Sequence, residues 1–422
     1  AINRSMQACL ILAIVGAMIA SWMAGGTIPT MMYYGIKIIS PSIFLFTACL
    51  LCGIVALATG SSWSTAGSMG VALIGVGTAL GFPPEMTAGA VVSGAYFGDK
   101  MSPLSDTTNL APAVAGATLF DHVKHMIWTT GPSLVIALVI YLVLGFTMGG
   151  GSADMATMNE ILGFIEASAD INLLFLLPPV FVIGAVILKL PAIPSLIGGV
   201  VLGVPFMAMQ GVPVTEWMNI LNNGISLGNV PEDASDVILE LASLLEAGGT
   251  QGMFWTISII LCAMAFGGIV DVTGIMGTFA NLLLSVAKGR GGLVLSTELM
   301  ALFINATCCD QYLALVLPGR MFKEAFEDAR LAPKNLSRAL EDCGTITSNF
   351  FPWNTCGATM RNFLGVGSGY IPYAILNWVN PIVSVVFAYA GITMEKMTEE
   401  EYQKILEQRE AEKKAALEAL EA

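Results

Sequence analysis

The chain has 422 residues, of which 55% are hydrophobic and only 12% are charged. A soluble domain carries about 25% charged residues, so the composition argues against a cytosolic enzyme, a nucleic-acid binder or a disordered chain and for a polytopic α-helical membrane protein. The formal charge of −13 is concentrated in two acidic stretches, 148–170 and 211–250, and in a tail over 391–422. These read as loops and a solvated end rather than as a surface for a basic partner.

In chain order, Ala1 is followed at once by an apolar helix with no signal-peptide pattern, and an N-terminally truncated chain is expected. A span needs about 20 mostly apolar residues. Clear spans are expected at 8–24, 42–58, 126–147, 171–188, 193–210, 252–270 and 370–390. Other apolar runs are short or interrupted: 66–81, 85–98 with 109–119, 293–304 with 311–319, and 340–350 with 354–366. Unwound backbone is tolerated in lipid only where it is buried in protein or lines a wet cavity, so the interruptions carry the functional information.

Helix 8–24 leads to a hairpin of 42–58 and 66–81, with its tip at Thr59-Gly60-Ser61-Ser62-Trp63-Ser64-Thr65. Segment 85–119 then crosses, broken at Gly98–Pro103. Basic clusters at 121–125, 288–290 and 320–338 place those loops in the cytoplasm and the two acidic stretches outside. Residues 275–287 are expected to lie along the inner surface. Residues 291–319 begin and end beside basic clusters, and legs of 293–304 and 311–319 reach only about 14–18 Å at ~1.5 Å per residue. A re-entrant hairpin with its tip at Asn305–Asp310 is therefore expected, followed by a broken span over 340–366 and a return helix to a cytoplasmic tail.

Each half thus offers a hairpin and then a broken helix, entered from opposite sides. The breaks align weakly: Met101-Ser102-Pro103-Leu104-Ser105-Asp106-Thr107 lies over Phe350-Phe351-Pro352-Trp353-Asn354-Thr355-Cys356. The predicted fold is an all-α polytopic membrane protein with inverted repeats, each with a hairpin and a broken transmembrane helix. Its predicted divisions are a first membrane repeat over 1–147, linking helices and acidic loops over 148–251, a second membrane repeat over 252–390 and a charged tail over 391–422. Discontinuous helices in inverted repeats are the mark of secondary transporters, with the substrate bound at the breaks.

Moving a cation needs oxygen ligands in place of its hydration shell, and proton exchange needs a carboxylate whose ionisation burial can tune. The first break supplies Asp99, Ser102, Ser105, Asp106, Thr107, Thr108 and Asn109, and its hairpin tip adds Thr59, Ser61 and Ser62. The second break supplies Thr345, Thr347, Ser348, Asn349, Asn354 and Thr355, and its tip adds Asn305, Thr307 and Asp310. Asp99, Asp106, Asn354 and Thr355 are expected to hold Na⁺. Plainer readings stand beside these. Asp99-Lys100 also reads as a local ion pair, Asp106 as a helix N-cap, and Asp310 as the partner of Arg320 or Arg361. His122 and His125 read as solvated loop residues, and Cys49 with Cys52 as core packing.

The run Gly94-Ala-Tyr-Phe-Gly-Asp-Lys-Met-Ser-Pro-Leu-Ser-Asp-Thr-Thr-Asn109 resembles the hallmark of NhaC-type sodium/proton antiporters, supported by Gly25–Thr30 and Ala58–Thr65. The resemblance spans nearly the whole chain and implies an ion-transporter-superfamily fold with a scaffold part and a moving part. Members of that family carry further hydrophobic segments upstream, and some couple sodium to malate and lactate or to other small organic solutes. The resulting expectation is a sodium/proton antiporter of the inner (plasma) membrane working by alternating access. The alternative is a sodium-coupled organic-acid or amino-acid exchanger. The expected partners are the lipid bilayer, Na⁺ and H⁺ or a small organic solute, and further copies of the chain in a homo-oligomer. No cofactor and no nucleic acid are expected, and no Walker A pattern occurs.

Overall fold

The computed structural model describes residues 2–38, 40–148, 155–188, 190–226, 242, 246, 248–403 and 405–407, and every described element longer than an isolated bridge is helical. The acids Asp154, Glu232, Asp233, Asp236 and Glu240 lie outside the described residues. Among the described residues, three helices are long and apolar enough to cross a membrane, Pro41–Thr59, Leu119–Met148 and Gly249–Val270. Two bent pairs pass the same test together, Cys9–Ala24 with Thr27–Ile38 at 68° and Asn159–Ser168 with Leu173–Val182 at 85°.

The first half contains α1 (Ile2–Ala24), α2 (Thr27–Ile38), α3 (Phe44–Thr59), α4 (Ser62–Thr65), a π-turn over Ala66–Gly70, and α5 (Val71–Ala79). It continues with α6 (Pro84–Met101), α7 (Asp106–Ala115) and α8 (Leu119–Met148). Linking helices follow: α9 (Met155–Ser168), α10 (Leu177–Ile187), α11 (Ala192–Met209) and α12 (Val214–Asn223). The second half contains α13 (Gly249–Val272), α14 (Ile275–Val286), α15 (Gly289–Thr307) and α16 (Gln311–Asp328). It closes with α17 (Pro333–Leu340), a π-turn over Glu341–Thr345, α18 (Thr355–Leu364) and α19 (Ile375–Ala390).

The halves repeat with a constant spacing. Pro84 and Pro333 open the two broken spans, Ser105 and Asn354 are the caps after the breaks, and Gly116 and Gly365 end the half-helices in the left-handed region. Each pair is 249 residues apart. Gly60 and Cys309, both with positive φ, precede the tip caps Ser61 and Asp310 at the same spacing, as do the positive-φ residues Gly81 and Arg330. The packing is reciprocal: α1 lies on α13 and α8 on α19, while α7 meets α16 and α18 meets α4 and its π-turn. The equivalent helices α8 and α19 run antiparallel. Ile375, which opens α19, donates its N–H to Tyr141 Oη at 3.2 Å near the far end of α8. Glu395, beyond the end of α19, faces His125 near the start of α8 at 3.7 Å.

Close backbone approach between α3 and α6 depends on missing side chains. A Cβ at Gly94 would overlap the carbonyl oxygen of Cys49, and one at Gly98 would overlap that of Gly53. Small residues four apart let membrane helices touch along their backbones. Cys49 and Cys52 are buried in this contact, as core packing predicts.

Several expectations need correction. The stretch 148–170 is not a plain loop, because Ile161 and Ile165 are buried one turn apart on α9. His122 and His125 are not solvated: both are buried on α8, bonded to Ser337 at 2.8 Å and Asn335 at 3.2 Å. The legs of the second hairpin are 19 and 18 residues long, about 27–28 Å at ~1.5 Å per residue, nearly twice the expected reach. The apolar windows stopped short of their polar ends. The base of the tail is not free either. Lys396 pairs with Leu331 in an isolated antiparallel bridge, and Ala332 donates its N–H to the carbonyl oxygen of Glu395 at 3.0 Å.

Candidate functional site

The two broken spans cross antiparallel at the centre of the molecule. Tyr96 of α6 meets Ser348 at 3.3 Å, and one helical turn later Lys100 pairs with Asp342 of the second π-turn. Each hairpin tip folds onto the break of its own half. On the first side Asp99 is buried, and its carboxylate accepts from the Ser62 N–H at 3.0 Å and the Ser62 hydroxyl at 2.6 Å. Thr108 donates its hydroxyl to the Lys100 carbonyl at 2.8 Å, tying the end of α6 to the start of α7. Ser105 and Thr107 face each other at 3.1 Å, and Ser102 accepts from the Leu104 N–H at 3.3 Å. Pro103 cannot donate a helix bond, and the amide of Asn109 reaches back to its carbonyl at 2.9 Å.

On the second side Asn305 donates to the Gly344 carbonyl at 2.7 Å, and Asn354 donates to the Asn305 carbonyl at 3.0 Å. Asn354 also caps α18 by accepting from the Cys356 N–H at 3.0 Å, and the Thr355 N–H bonds the Cys309 carbonyl at 3.0 Å. The counterpart of the Ser62–Asp99 contact is Gln311 with Ser348 at 3.5 Å, each 249 residues later. The same geometry therefore recurs, with a carboxylate in the first half and neutral groups in the second.

The expected residues do not all converge. Asp106 is exposed as the first residue of α7, and Ser105 rather than Asp106 holds the N-cap position. Asp310 caps α16, accepting from the Tyr312 N–H at 2.7 Å and the Leu313 N–H at 3.1 Å. Ser61 caps α4 in the same way, accepting from the Ser64 N–H at 3.2 Å. Thr307 bonds back to the Phe303 carbonyl of its own helix at 2.7 Å, and Thr59 only to nearby carbonyls at 3.4 and 3.5 Å. Asn349 donates to the Ile346 carbonyl at 2.9 Å, and its own carbonyl accepts from Tyr370. The Asp99-Lys100 pair is not local, since Lys100 reaches across the interface to Asp342.

Four charged residues at the crossing were missed. Asp342 accepts from Lys100, from Thr129 at 3.0 Å and from Asn380 at 2.9 Å, so it joins α6, α8, α19 and the second π-turn. Glu298, Arg338 and Glu341 are also buried. Glu298 sits within the run 293–304, which otherwise reads as an apolar leg. An ionisable residue inside a span is a functional candidate by itself, and that signal was present. In sequence Arg338 belongs to the basic cluster 320–338, expected in the cytoplasm. It is 1% exposed and donates to the Thr393 hydroxyl at 2.8 Å.

Apolar spans, two opposed broken helices and buried carboxylates at their crossing define an integral membrane protein of the transporter class. The profile of the Na⁺/H⁺ antiporter family matches residues 94–392. The chain is 39% identical to the Na⁺/H⁺ antiporter NhaC of Alkalihalophilus pseudofirmus over 92% of its own length and 82% of the relative's. It is 39% identical to the arginine/ornithine antiporter ArcD of Halobacterium salinarum, covering 93% and 80% of the two chains. It is 34% identical to the malate-2H⁺/Na⁺-lactate antiporter of Bacillus subtilis, covering 92% and 82%. The chain belongs to the Na⁺/H⁺ antiporter family, whose members are transporters and not enzymes.

Proposed function

We propose that the protein is a sodium/proton antiporter in which Na⁺ and H⁺ compete for Asp99 at the first hairpin tip. One observation carries this reading: Asp99 is a buried carboxylate whose hydrogen bonds come from the neutral donors of Ser62, while the adjacent base, Lys100, is engaged by Asp342. Burial disfavours the charged form of such a group and a bound cation favours it, so occupation by Na⁺ and by a proton exclude one another. Competition at one group couples the two fluxes.

The repeat supplies the movement. Two halves that match at a spacing of 249 residues, with equivalent helices antiparallel, are read as inverted repeats, and alternating access follows from exchanging the roles of the halves. The basic residues near the C-terminal tail support a cytoplasmic position for it.

Exchange of an organic acid or amino acid is the second reading, favoured by the two relatives that exchange arginine for ornithine and malate for lactate. A solute carboxylate would need a free base. Lys100 and Arg338, the bases buried at the crossing, are held by Asp342 and by Thr393. The test is purified protein in liposomes. Na⁺-driven proton movement that malate, lactate, arginine and ornithine neither need nor inhibit supports the first reading. Proton movement that requires one of these solutes overturns it.

A further inference from the structure

Glu341 opens the second π-turn and is fully buried. Thr345 and Thr107 flank its carboxylate, and Lys100 and Asp99 are its charged neighbours. Even so, neither carboxylate oxygen closes a hydrogen bond of ordinary geometry, and the hydroxyl of Thr345 is equally unsatisfied. Buried polar groups are nearly always bonded, and each exception needs a reason. An unpaired buried carboxylate is among the most costly of them.

The neighbouring bases do not supply the missing partner. The crossing buries two, Lys100 and Arg338, against four carboxylates, Asp99, Glu298, Glu341 and Asp342. Lys100 is paired with Asp342. Arg338 bonds Thr393 and turns its Nε toward Asp342 at 3.9 Å, with Glu298 and Glu395 as its other acidic neighbours. Asp99 and Glu341 are left, one from each broken span. Asp99 has Ser62; Glu341 has only the flanking hydroxyls of Thr345 and Thr107, neither at ordinary hydrogen-bond geometry. The π-turn explains how adjacent acids differ so much. Its wider winding lets Asp342 face α8 and α19 while Glu341 looks toward the start of α7, and such turns cluster at functional sites.

We infer that Glu341 is a second acidic ligand of the transported cation, in a site it shares with Asp99, Thr107 and Thr345 where the two broken spans cross. All these groups offer oxygen and none offers nitrogen or sulfur, which suits a small hard cation such as Na⁺ or Li⁺. The residue 249 positions earlier is Val92, buried and apolar, so the arrangement occurs once per chain and not once per repeat. The inference rests on the antiporter reading for the identity of the cargo. It assigns a ligand that lies outside the 94–109 run and in the other half of the molecule.

The experiment compares the parent with Glu341→Gln, Glu341→Asp and Asp99→Asn as full-length protein. Na⁺ and Li⁺ binding to detergent-purified protein is measured by calorimetry at fixed pH, alongside Na⁺-driven proton movement in liposomes. Glu341→Gln is expected to weaken Na⁺ binding by about tenfold or more, equivalent to ~1.4 kcal/mol. Glu341→Asp, which keeps the charge and withdraws it by one carbon, is expected to fold and to change the Li⁺/Na⁺ preference. Unchanged affinity and preference in both folded variants overturn the inference and make Glu341 a packing residue. If Glu341→Gln does not fold, Glu341→Asp alone decides. Loss of Na⁺ binding in Asp99→Asn beside unchanged Glu341 variants overturns this inference while leaving the antiporter reading standing. A parent that binds Na⁺ through Glu341 but moves no protons does the reverse.

Discussion

Asp99 and Asp106 stand seven residues apart and look alike in sequence, yet the fold separates them. Asp99 is buried against Ser62, and Asp106 is exposed at the start of α7. Asp99→Asn keeps size and an oxygen but cannot titrate. It is expected to abolish Na⁺/H⁺ exchange while protein still reaches the membrane, and residual Na⁺ binding should lose most of its pH dependence. Asp106→Asn is expected to retain exchange at a rate within a few-fold of the parent. Na⁺ affinity at several pH values for both variants checks this; equal loss in both would return Asp106 to the site. The first break was legible because proline, hydroxyl and carboxylate residues interrupt an apolar run. Glu341 and Glu298 were not, because an apolar average over a window hides a single acid. Burial of His122 and His125 was hidden for another reason: their partners Ser337 and Asn335 are more than 200 residues away in sequence.

Among the elements, the second π-turn holds the structure together through Asp342. Its carboxylate is shared by Lys100, Thr129 and Asn380, which lie on three different helices. Removing one partner of a buried ion pair costs about 3–5 kcal/mol, while replacing both can be nearly neutral. Lys100→Met is therefore expected to lower the thermal midpoint of the detergent-purified protein markedly. Adding Asp342→Asn should recover most of that loss, as read by a fluorescence melt. A double variant no more stable than Lys100→Met would show that the pair is not the main role of Lys100. The α3–α6 contact makes a second prediction. Gly94→Leu inserts a side chain where the Cys49 carbonyl already lies, so the variant is expected to be nearly absent from the membrane fraction, whereas the same change at Gly163, where a Cβ meets nothing within 4 Å, should be tolerated. The hairpins and broken spans were legible as elements because polar tips and prolines punctuate them. Helix α2 was not: Thr27–Ile38 mixes Pro29, two tyrosines and Lys37 into a short segment that passes the span test only together with α1.

For the whole molecule, the repeat makes a sidedness prediction at four positions. Arg290 and Asp328 are exposed near the outer ends of the second hairpin, and Ser40 and Gly81 are exposed near those of the first. Single cysteines at Arg290 and Asp328 are expected to label from the cytoplasm, and those at Ser40 and Gly81 from the opposite face. The background is Cys262→Ser, since Cys262 is the exposed cysteine among the described residues. Labelling of both pairs from one face would remove the inverted arrangement. The weak alignment around Pro103 and Pro352 shares the 249-residue spacing at which the two halves match in backbone conformation. The full extent of that match could not be read from residue types, because backbone conformation is kept where side chains are not: Gly60 corresponds to Cys309 and Gly81 to Arg330, all with positive φ.

The unequal tip contacts have a thermodynamic consequence. On the alternating-access reading, if the halves were identical, this conformer and the one related to it by a two-fold rotation, with the two hairpins exchanging roles, would be isoenergetic and equally populated. They are not identical: Ser62 holds Asp99 at 2.6 Å, whereas Gln311 stands 3.5 Å from Ser348. A hydrogen bond to a charged group contributes roughly 1.5–3 kcal/mol, and each ~1.4 kcal/mol shifts a ratio tenfold. On the same reading one serine is expected to set a resting bias of about ten- to a hundredfold between conformers of the ionised carrier. Ser62→Ala, which removes the hydroxyl donor to Asp99 and keeps the backbone N–H, should bring the two toward equal occupancy. A pair of fluorophores across the first tip would then show two comparable distance populations where the parent shows one.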